Sequence, residues 1–470
     1  MNNDHIIEKK YYFVGAGGIG MANLERYFLS KGYRVGGYDR TPSALTDALA
    51  SEGVSLIFDD DPSLIPTSFR DPESVTVVYT PAIPDDCRIL SFFRNGGFRV
   101  VKRAAVLGEI TRAERGICVA GSHGKTTTSS MIAWILNGTG GGCNAFLGGV
   151  LRNTGSNLML SKGSDLAVIE ADEYDRSFHQ LSPWTAIVTS TDPDHLDIYG
   201  DEEHYLEAFS IFTGLIRPGG YLLLHSGLRM KPDTAPGVTT LTYSAFDTSA
   251  QWHAEDIHYL PGELVFSIAG PDGLRINDIS LGVPVEINVD NAVAAAAAAH
   301  IAGASAHEIR TGLQTFMGAR RRFEIWLRGE ADGSRAILVD DYAHSPAEVA
   351  ASIRSIRLLY PGKRLSVIFQ PHLYSRTRDF ADEFATALST ADEVIMPEIY
   401  PAREQPVPGV DSHMILDRIT TKSEFCSRKD LLELIKNRNF EILMTLGAAD
   451  IDRLLPEIRR ILTENVEKSC

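Results

Sequence analysis

A chain of 470 residues exceeds what one hydrophobic core organises, about 250 to 300 residues, so two or three domains are expected. With 44% hydrophobic and 23% charged residues, the composition is that of packed globular protein and excludes extended disorder. The net charge of -16 repels polyanions, so nucleic acid is not an expected partner, and anionic ligands must be held by glycine loops, helix N-termini, single cations or metal ions.

The cysteines Cys87, Cys118, Cys143, Cys426 and Cys470 are scattered without a C-x-x-C pair, which fits a reducing compartment. The N-terminus shows no signal-peptide core, and no apolar run approaches the roughly 20 residues needed to span a bilayer. A cytoplasmic protein without membrane insertion is expected, as a monomer or homodimer.

From Tyr11 the chain alternates β-branched runs with amphipathic stretches, the pattern of βαβ units around parallel sheets. Strands are predicted at 11–14 and 33–38 around a helix at 21–31, with further strands at 75–79 and 99–101 and a helix at 107–114. A strand at 116–120 opens a second region, with a helix at 126–137 and strands at 166–170 and 186–190. The alanine run 291–300 predicts a buried helix, because alanine loses no side-chain entropy and permits close packing. Gly318 and Arg320-Arg321-Arg322-Phe323 mark a hinge into a third region, with strands at 336–339, 365–369 and 393–396 and a helix from Pro346.

Gly15-Ala16-Gly17-Gly18-Ile19-Gly20 lies between a strand and a helix, where glycines let the backbone approach a pyrophosphate. Asp39 ends the next strand, where a carboxylate accepts ribose hydroxyls. This spacing suits NAD, FAD or any nucleotide diphosphate, which keeps an NAD-dependent oxidoreductase open. Gly121-Ser122-His123-Gly124-Lys125-Thr126-Thr127 is more specific. Its amides suit β-phosphate oxygens, Lys125 bridges β- and γ-phosphates, and the Thr126 hydroxyl suits Mg²⁺. The first glycine of a strict G-x-x-x-x-G-K-[ST] loop would fall at Val119, so the loop is a shortened relative.

Glu170-Ala-Asp172-Glu173 and Asp192-Pro-Asp194-His195-Leu-Asp197 follow consecutive strands, where α/β folds collect ligands, and they suit a hard cation between phosphate and a second substrate. Asp340-Asp341-Tyr342-Ala-His344-Ser345-Pro346 and Phe369-Gln370-Pro-His372-Leu373-Tyr-Ser-Arg376-Thr377 occupy the same kind of position in the third region. His and Arg there suit a carboxylate, arginine through its planar fork, although a surface cap with ordinary salt bridges fits the spacing equally.

In order and spacing, these segments together with Asn291-Ala resemble the Mur ligase family over nearly the whole chain. The resemblance implies an α/β protein of three domains: a Rossmann-like UDP-sugar domain at 1–112, a central P-loop ATPase domain with a mostly parallel sheet at 113–318, and a Rossmann-like amino-acid domain at 319–470. It moves the first glycine loop, with Asp39 and Thr80, from NAD to a UDP sugar. Lys125 and Thr126 would hold ATP and Mg²⁺ or Mn²⁺, and Glu170 and His195 would ligate metal near the reacting carboxylate. Asn291 would read adenine, Asp341 the ATP ribose, and Arg322 the γ-phosphate. Tyr342, His344, His372 and Arg376 would lie near the incoming amino acid, with Arg376 on its carboxylate.

Within the family, the resemblance is to members that join L-alanine to UDP-N-acetylmuramate through an acyl phosphate, and sites on three domains imply closure around that intermediate. A ligase that adds a preformed tripeptide is the nearest rival, and a non-catalytic nucleotide-binding protein a more distant one. Ser345 stands where the family pattern has a second histidine, and Leu373 where it has arginine.

Overall fold

The structure, a computed structural model, describes residues 9–193, 195–334, 336–402 and 404–464. The chain packs as two compact units, the first comprising 1–150, 156–252 and 294–308 and the second 151–155, 253–293 and 309–470. Among the described residues the strands form three sheets.

The first unit begins with β1 (Lys10–Val14), β2 (Arg34–Tyr38), β3 (Ser55–Ile57), β4 (Val75–Tyr79) and β5 (Arg99–Lys102), ordered β3-β2-β1-β4-β5 and parallel throughout. The first glycine loop leaves β1, the strand at which this order reverses, and leads into the helix Ile19–Ser30. The central strands are β6 (Arg115–Ala120), β7 (Asn144–Leu151), β8 (Ser156–Met159), β9 (Leu166–Glu170), β10 (Thr185–Val188), β11 (Tyr221–His225) and β12 (Thr239–Ser244). Their order is β12-β11-β10-β6-β9-β7-β8, parallel from β12 to β7. The phosphate loop leaves β6 where this second order reverses. Both glycine loops therefore occupy topological switch points, the places at which an open α/β sheet splits to admit a ligand.

Buried Tyr11, Phe13, Phe28, Phe146, Phe178 and Phe209 belong to one core shared by the two sheets of this unit. A polar joint runs beside it. The Glu114 carboxylate, 8% exposed, accepts the Tyr27 hydroxyl at 2.8 Å and the Asn144 amide at 2.9 Å, and pairs with the Lys31 ammonium at 2.9 Å. Gly108 is required here by space: a Cβ on it would lie 2.0 Å from the Gln180 carbonyl oxygen.

The second unit contains β13 (Trp252–Leu260), β14 (Glu263–Ala269) and β15 (Arg275–Ser280), an antiparallel ribbon absent from the sequence-based expectation. Its last sheet comprises β16 (Glu324–Arg328), β17 (Ile337–Asp341), β18 (Leu365–Phe369), β19 (Glu393–Met396), β20 (Lys422–Phe425) and β21 (Ile442–Leu446). The order is β16-β17-β21-β18-β19-β20, with β16 alone antiparallel to its neighbour. The helix Ile287–Ile301 contains the alanine run, whose residues from Ala294 onward belong to the first unit, and Ala292 through Ala299 are wholly buried. No helix among the described residues is long and apolar enough to cross a membrane.

Candidate active site

The phosphate loop turns because Gly121 (φ 143°) and Gly124 (φ 83°) adopt backbone angles that side chains resist. A Cβ on Gly121 would also collide with the Thr189 hydroxyl at 2.1 Å. Gly124 caps the helix Lys125–Asn137, so the first-turn amides and the positive end of the helix dipole face the loop. The His123 amide is fixed by the Ser190 hydroxyl at 2.7 Å.

Lys125 projects from the first turn and donates to Glu173 Oε1 at 2.8 Å. Thr126 donates to Glu170 Oε1 at 3.1 Å, while the Gly148 amide donates to Glu170 Oε2 at 3.0 Å. Burial pushes the Glu170 carboxyl above its usual range, opposed by the Thr126 hydroxyl, the Lys125 charge and the Gly148 amide. Glu173 is raised by the same cause, against Lys125. The structure thus brings Lys125, Thr126 and Glu170 together, as the sequence indicates, and adds Glu173. That residue sits in the acidic cluster seen in the sequence, but only the fold identifies which of its carboxylates meets the lysine. His195 lies edge-on to Tyr174 at 5.1 Å with φ 53°, and Asp194 lies outside the described residues. Among the described residues, no three His, Cys, Asp or Glu side chains converge as a metal cluster.

In the first glycine loop, Gly15 takes φ 91° and the Gly17 amide donates to Asp39 Oδ2 at 2.7 Å. Asp39 Oδ1 accepts the Thr41 amide at 3.1 Å. Its carboxylate therefore shapes the loop from beneath, a task the sequence reading, which assigned it to ribose hydroxyls, did not include. A side chain at Gly17 would meet that carboxylate at 2.9 Å. Ile19, the first residue of the helix, is 64% exposed, and Thr80 follows β4, accepting the Ala82 amide at 3.2 Å.

In the second unit, Arg321 and Arg322 place their guanidinium groups over the Tyr342 ring at 5.1 and 5.4 Å. The His344 imidazole is held by Nδ1 against the Tyr342 carbonyl at 3.0 Å and lies 3.3 Å from Glu348. Burial lowers its pKa; Glu348 opposes this, and the Arg376 and Arg322 charges add to it. Arg376, on the helix Tyr374–Asp379, is half-buried, and its guanidinium makes no hydrogen bond or ion pair with a described residue. His372 stacks on Tyr400 at 6.0 Å.

Of the two departures from the family pattern, Ser345 has a clear local role. Ser345 is the N-cap of the helix Pro346–Leu359, its hydroxyl accepting the Glu348 amide while Glu348 reaches back to the Ser345 amide. Leu373 takes φ 70°, a strained angle for a branched side chain, at the turn between His372 and Arg376. Asp341 accepts the Ser352 hydroxyl, and Asn291 donates to Asn288 at 3.1 Å.

Three family descriptions match in succession: Mur ligase family, catalytic domain, over 10–115; Mur ligase middle domain over 119–299; and Mur ligase, glutamate ligase domain, over 321–444. The UDP-N-acetylmuramate--L-alanine ligase of Parabacteroides distasonis is 51% identical over 97% of this chain and 98% of its own length. That of Porphyromonas gingivalis is 50% identical over 97% of this chain and 99% of its own. Among solved structures, the UDP-N-acetylmuramate-alanine ligase of Thermotoga maritima superposes with a TM-score of 0.72 at 25% identity, covering 98% of this chain and all of that one. The murein peptide ligase of Psychrobacter arcticus shares the fold, with a TM-score of 0.60 at 21% identity over 97% of this chain and 99% of that one. Three family models in succession and relatives about half identical along almost the full chain make the conclusion plain: the chain belongs to the Mur ligase family.

Proposed function

We propose that this chain is the ATP-dependent ligase that joins L-alanine to the lactyl carboxylate of UDP-N-acetylmuramate in peptidoglycan precursor synthesis. The observation that carries this reading is the phosphate loop with Lys125 and Thr126 set against Glu173 and Glu170, in a chain 51% identical to a ligase of that name. The substrate carboxylate attacks the γ-phosphorus of ATP, the bond to ADP breaks, and an acyl phosphate forms. The alanine amine then attacks the acyl carbon, the bond to phosphate breaks, and the nitrogen loses its proton. Lys125 and the loop amides stabilise charge on the transferred phosphoryl oxygens by position, with Arg322 as a further cation.

Thr126 and Glu170 offer adjacent hard oxygen donors, which fit Mg²⁺ or Mn²⁺, with His195 as a further donor. When bound, such an ion neutralises phosphate charge. On the amino-acid side, Arg376 offers its uncommitted fork to the alanine carboxylate. With Nδ1–H donated to the Tyr342 carbonyl, His344 keeps Nε2 as an acceptor, and its lowered pKa keeps the ring neutral to take a proton. The use of ATP as co-substrate supports a cytoplasmic location. Asn291 on adenine, Asp341 on ribose, and the Gly15–Gly20 loop with Thr80 on the UDP diphosphate complete the assignment.

The test is ADP release from ATP and UDP-N-acetylmuramate, run with L-alanine, with other amino acids and with tripeptide. Release driven by alanine is the expected result. Release driven by tripeptide alone, or none that depends on the UDP sugar, refutes the proposal.

A further inference from the structure

Between the first glycine loop and the acidic end of β9 lies a cavity of about 130 Å³, walled in part by Gly20, Asn23, Arg103, Gly148, Glu170 and Asp172. Arg103, to which no motif drew attention, is the first residue of the helix Arg103–Ala113 and follows β5 directly. A Cβ on Gly20 would lie 2.8 Å from one of its guanidinium nitrogens, so the group rests against the helix Ile19–Ser30 where residue 20 has no side chain. Three arginines of the same unit are paired with carboxylates: Arg26 with Glu52, Arg99 with Glu109, and Arg115 with Asp165. Arg103 makes no hydrogen bond or ion pair with a described residue, although two carboxylates line the same cavity. Glu170 is occupied by Thr126 and Gly148, and Asp172 accepts the Tyr174 amide at 3.1 Å. A half-buried planar fork of donors with no acceptor among the described residues, in a cavity that otherwise repels anions, matches a ligand oxyanion.

The geometry points to Arg103 as the cation that grips an oxyanion of the acceptor sugar nucleotide, an inference that rests on the ligase reading above. The acceptor offers two such groups, its diphosphate and the carboxylate to be phosphorylated, and the cavity touches both the glycine loop and Glu170. A guanidinium serves either by the same two-point contact.

Calorimetric titration of the full chain separates these sources, using UDP-N-acetylmuramate and UDP-N-acetylglucosamine, which keeps the diphosphate and lacks the carboxylate. Arg103→Ala should weaken UDP-N-acetylmuramate about ten- to a hundred-fold, the range for a charge-assisted hydrogen-bonded contact, with Arg103→Lys in between. In turnover, KM for the sugar nucleotide should rise while KM for ATP stays. Equal weakening of both ligands assigns the diphosphate; weakening of the acid alone assigns the carboxylate. Arg112→Ala, on the same helix, reports the general field. Unchanged affinity for both ligands in Arg103→Ala and Arg103→Lys overturns the proposal, as does an equal loss in Arg112→Ala. A parent protein that binds no UDP-N-acetylmuramate refutes the ligase reading itself.

Discussion

Gly148→Ala tests whether Glu170 acts through its position. A Cβ at residue 148 would lie 2.3 to 2.5 Å from the Glu170 carboxylate atoms, against an ordinary contact of 3.4 Å or more, so the carboxylate must retreat by about 1 Å. That movement breaks the 3.0 Å bond from the Gly148 amide and the 3.1 Å bond from Thr126. Hydrogen bonds to charged groups contribute about 1.5 to 3 kcal/mol each, and about 1.4 kcal/mol of barrier is tenfold in rate. Relaxation of the long side chain recovers part of the loss, leaving an expected fall in kcat of about a hundred-fold. The backbone of residue 148 runs in β7, where alanine is accepted, so the melting temperature should stay within a few degrees of the parent. The assay is ADP release with alanine and UDP-N-acetylmuramate across a series of Mg²⁺ concentrations, and the variant should need more metal. A kcat within about twofold of the parent throughout that series would refute the reasoning.

Lys125→Ala should abolish alanine-dependent ADP release while the UDP sugar still binds, measured by turnover and by calorimetry on the same preparation. Arg376→Ala should raise KM for alanine about tenfold or more with a smaller change in kcat; an unchanged KM removes it from the amino-acid site. Asp340 is wholly buried, and burial raises its carboxyl to about 7 despite the Thr445 hydroxyl and Arg321. The folded protein then holds a proton that the unfolded chain releases near pH 4, so this group costs stability as pH rises from about 4 through 7. Asp340→Asn should flatten that decline in melting temperature between about pH 4 and 7, and a parallel decline in both proteins would count against it.

The regular parts of the fold were legible because parallel strands buried on both faces read as continuous apolar runs: the predicted strands at 75–79, 166–170 and 365–369 coincide with β4, β9 and β18. The antiparallel ribbon escaped notice. Residues facing outward from β13 alternate with buried ones only in part, and register shifts between Glu255 and His258 and between Phe266 and Ile268 break the two-residue period. Of the site, the glycine loops announced themselves because few residues tolerate their backbone angles. Contacts set by tertiary structure did not. Asp39 reaches back 22 residues to Gly17, Glu173 pairs with a lysine 48 residues away, and Arg103 bears no sequence mark at all. Ser345, read as a departure, proved to be an N-cap, a role that Ser-Pro-x-Glu spells locally once the helix start is known.

The alanine helix has a consequence at the level of the gene. Every alanine codon is one base from codons for valine, threonine, serine, proline, glycine and an acidic residue. At positions 294 to 299, where each methyl is fully buried, the first two add volume, serine and the acids add unpaired polarity, proline breaks the helix and glycine weakens it. Most missense changes in this stretch therefore cost stability, and random mutagenesis should leave it depleted of substitutions, glycine and serine tolerated best.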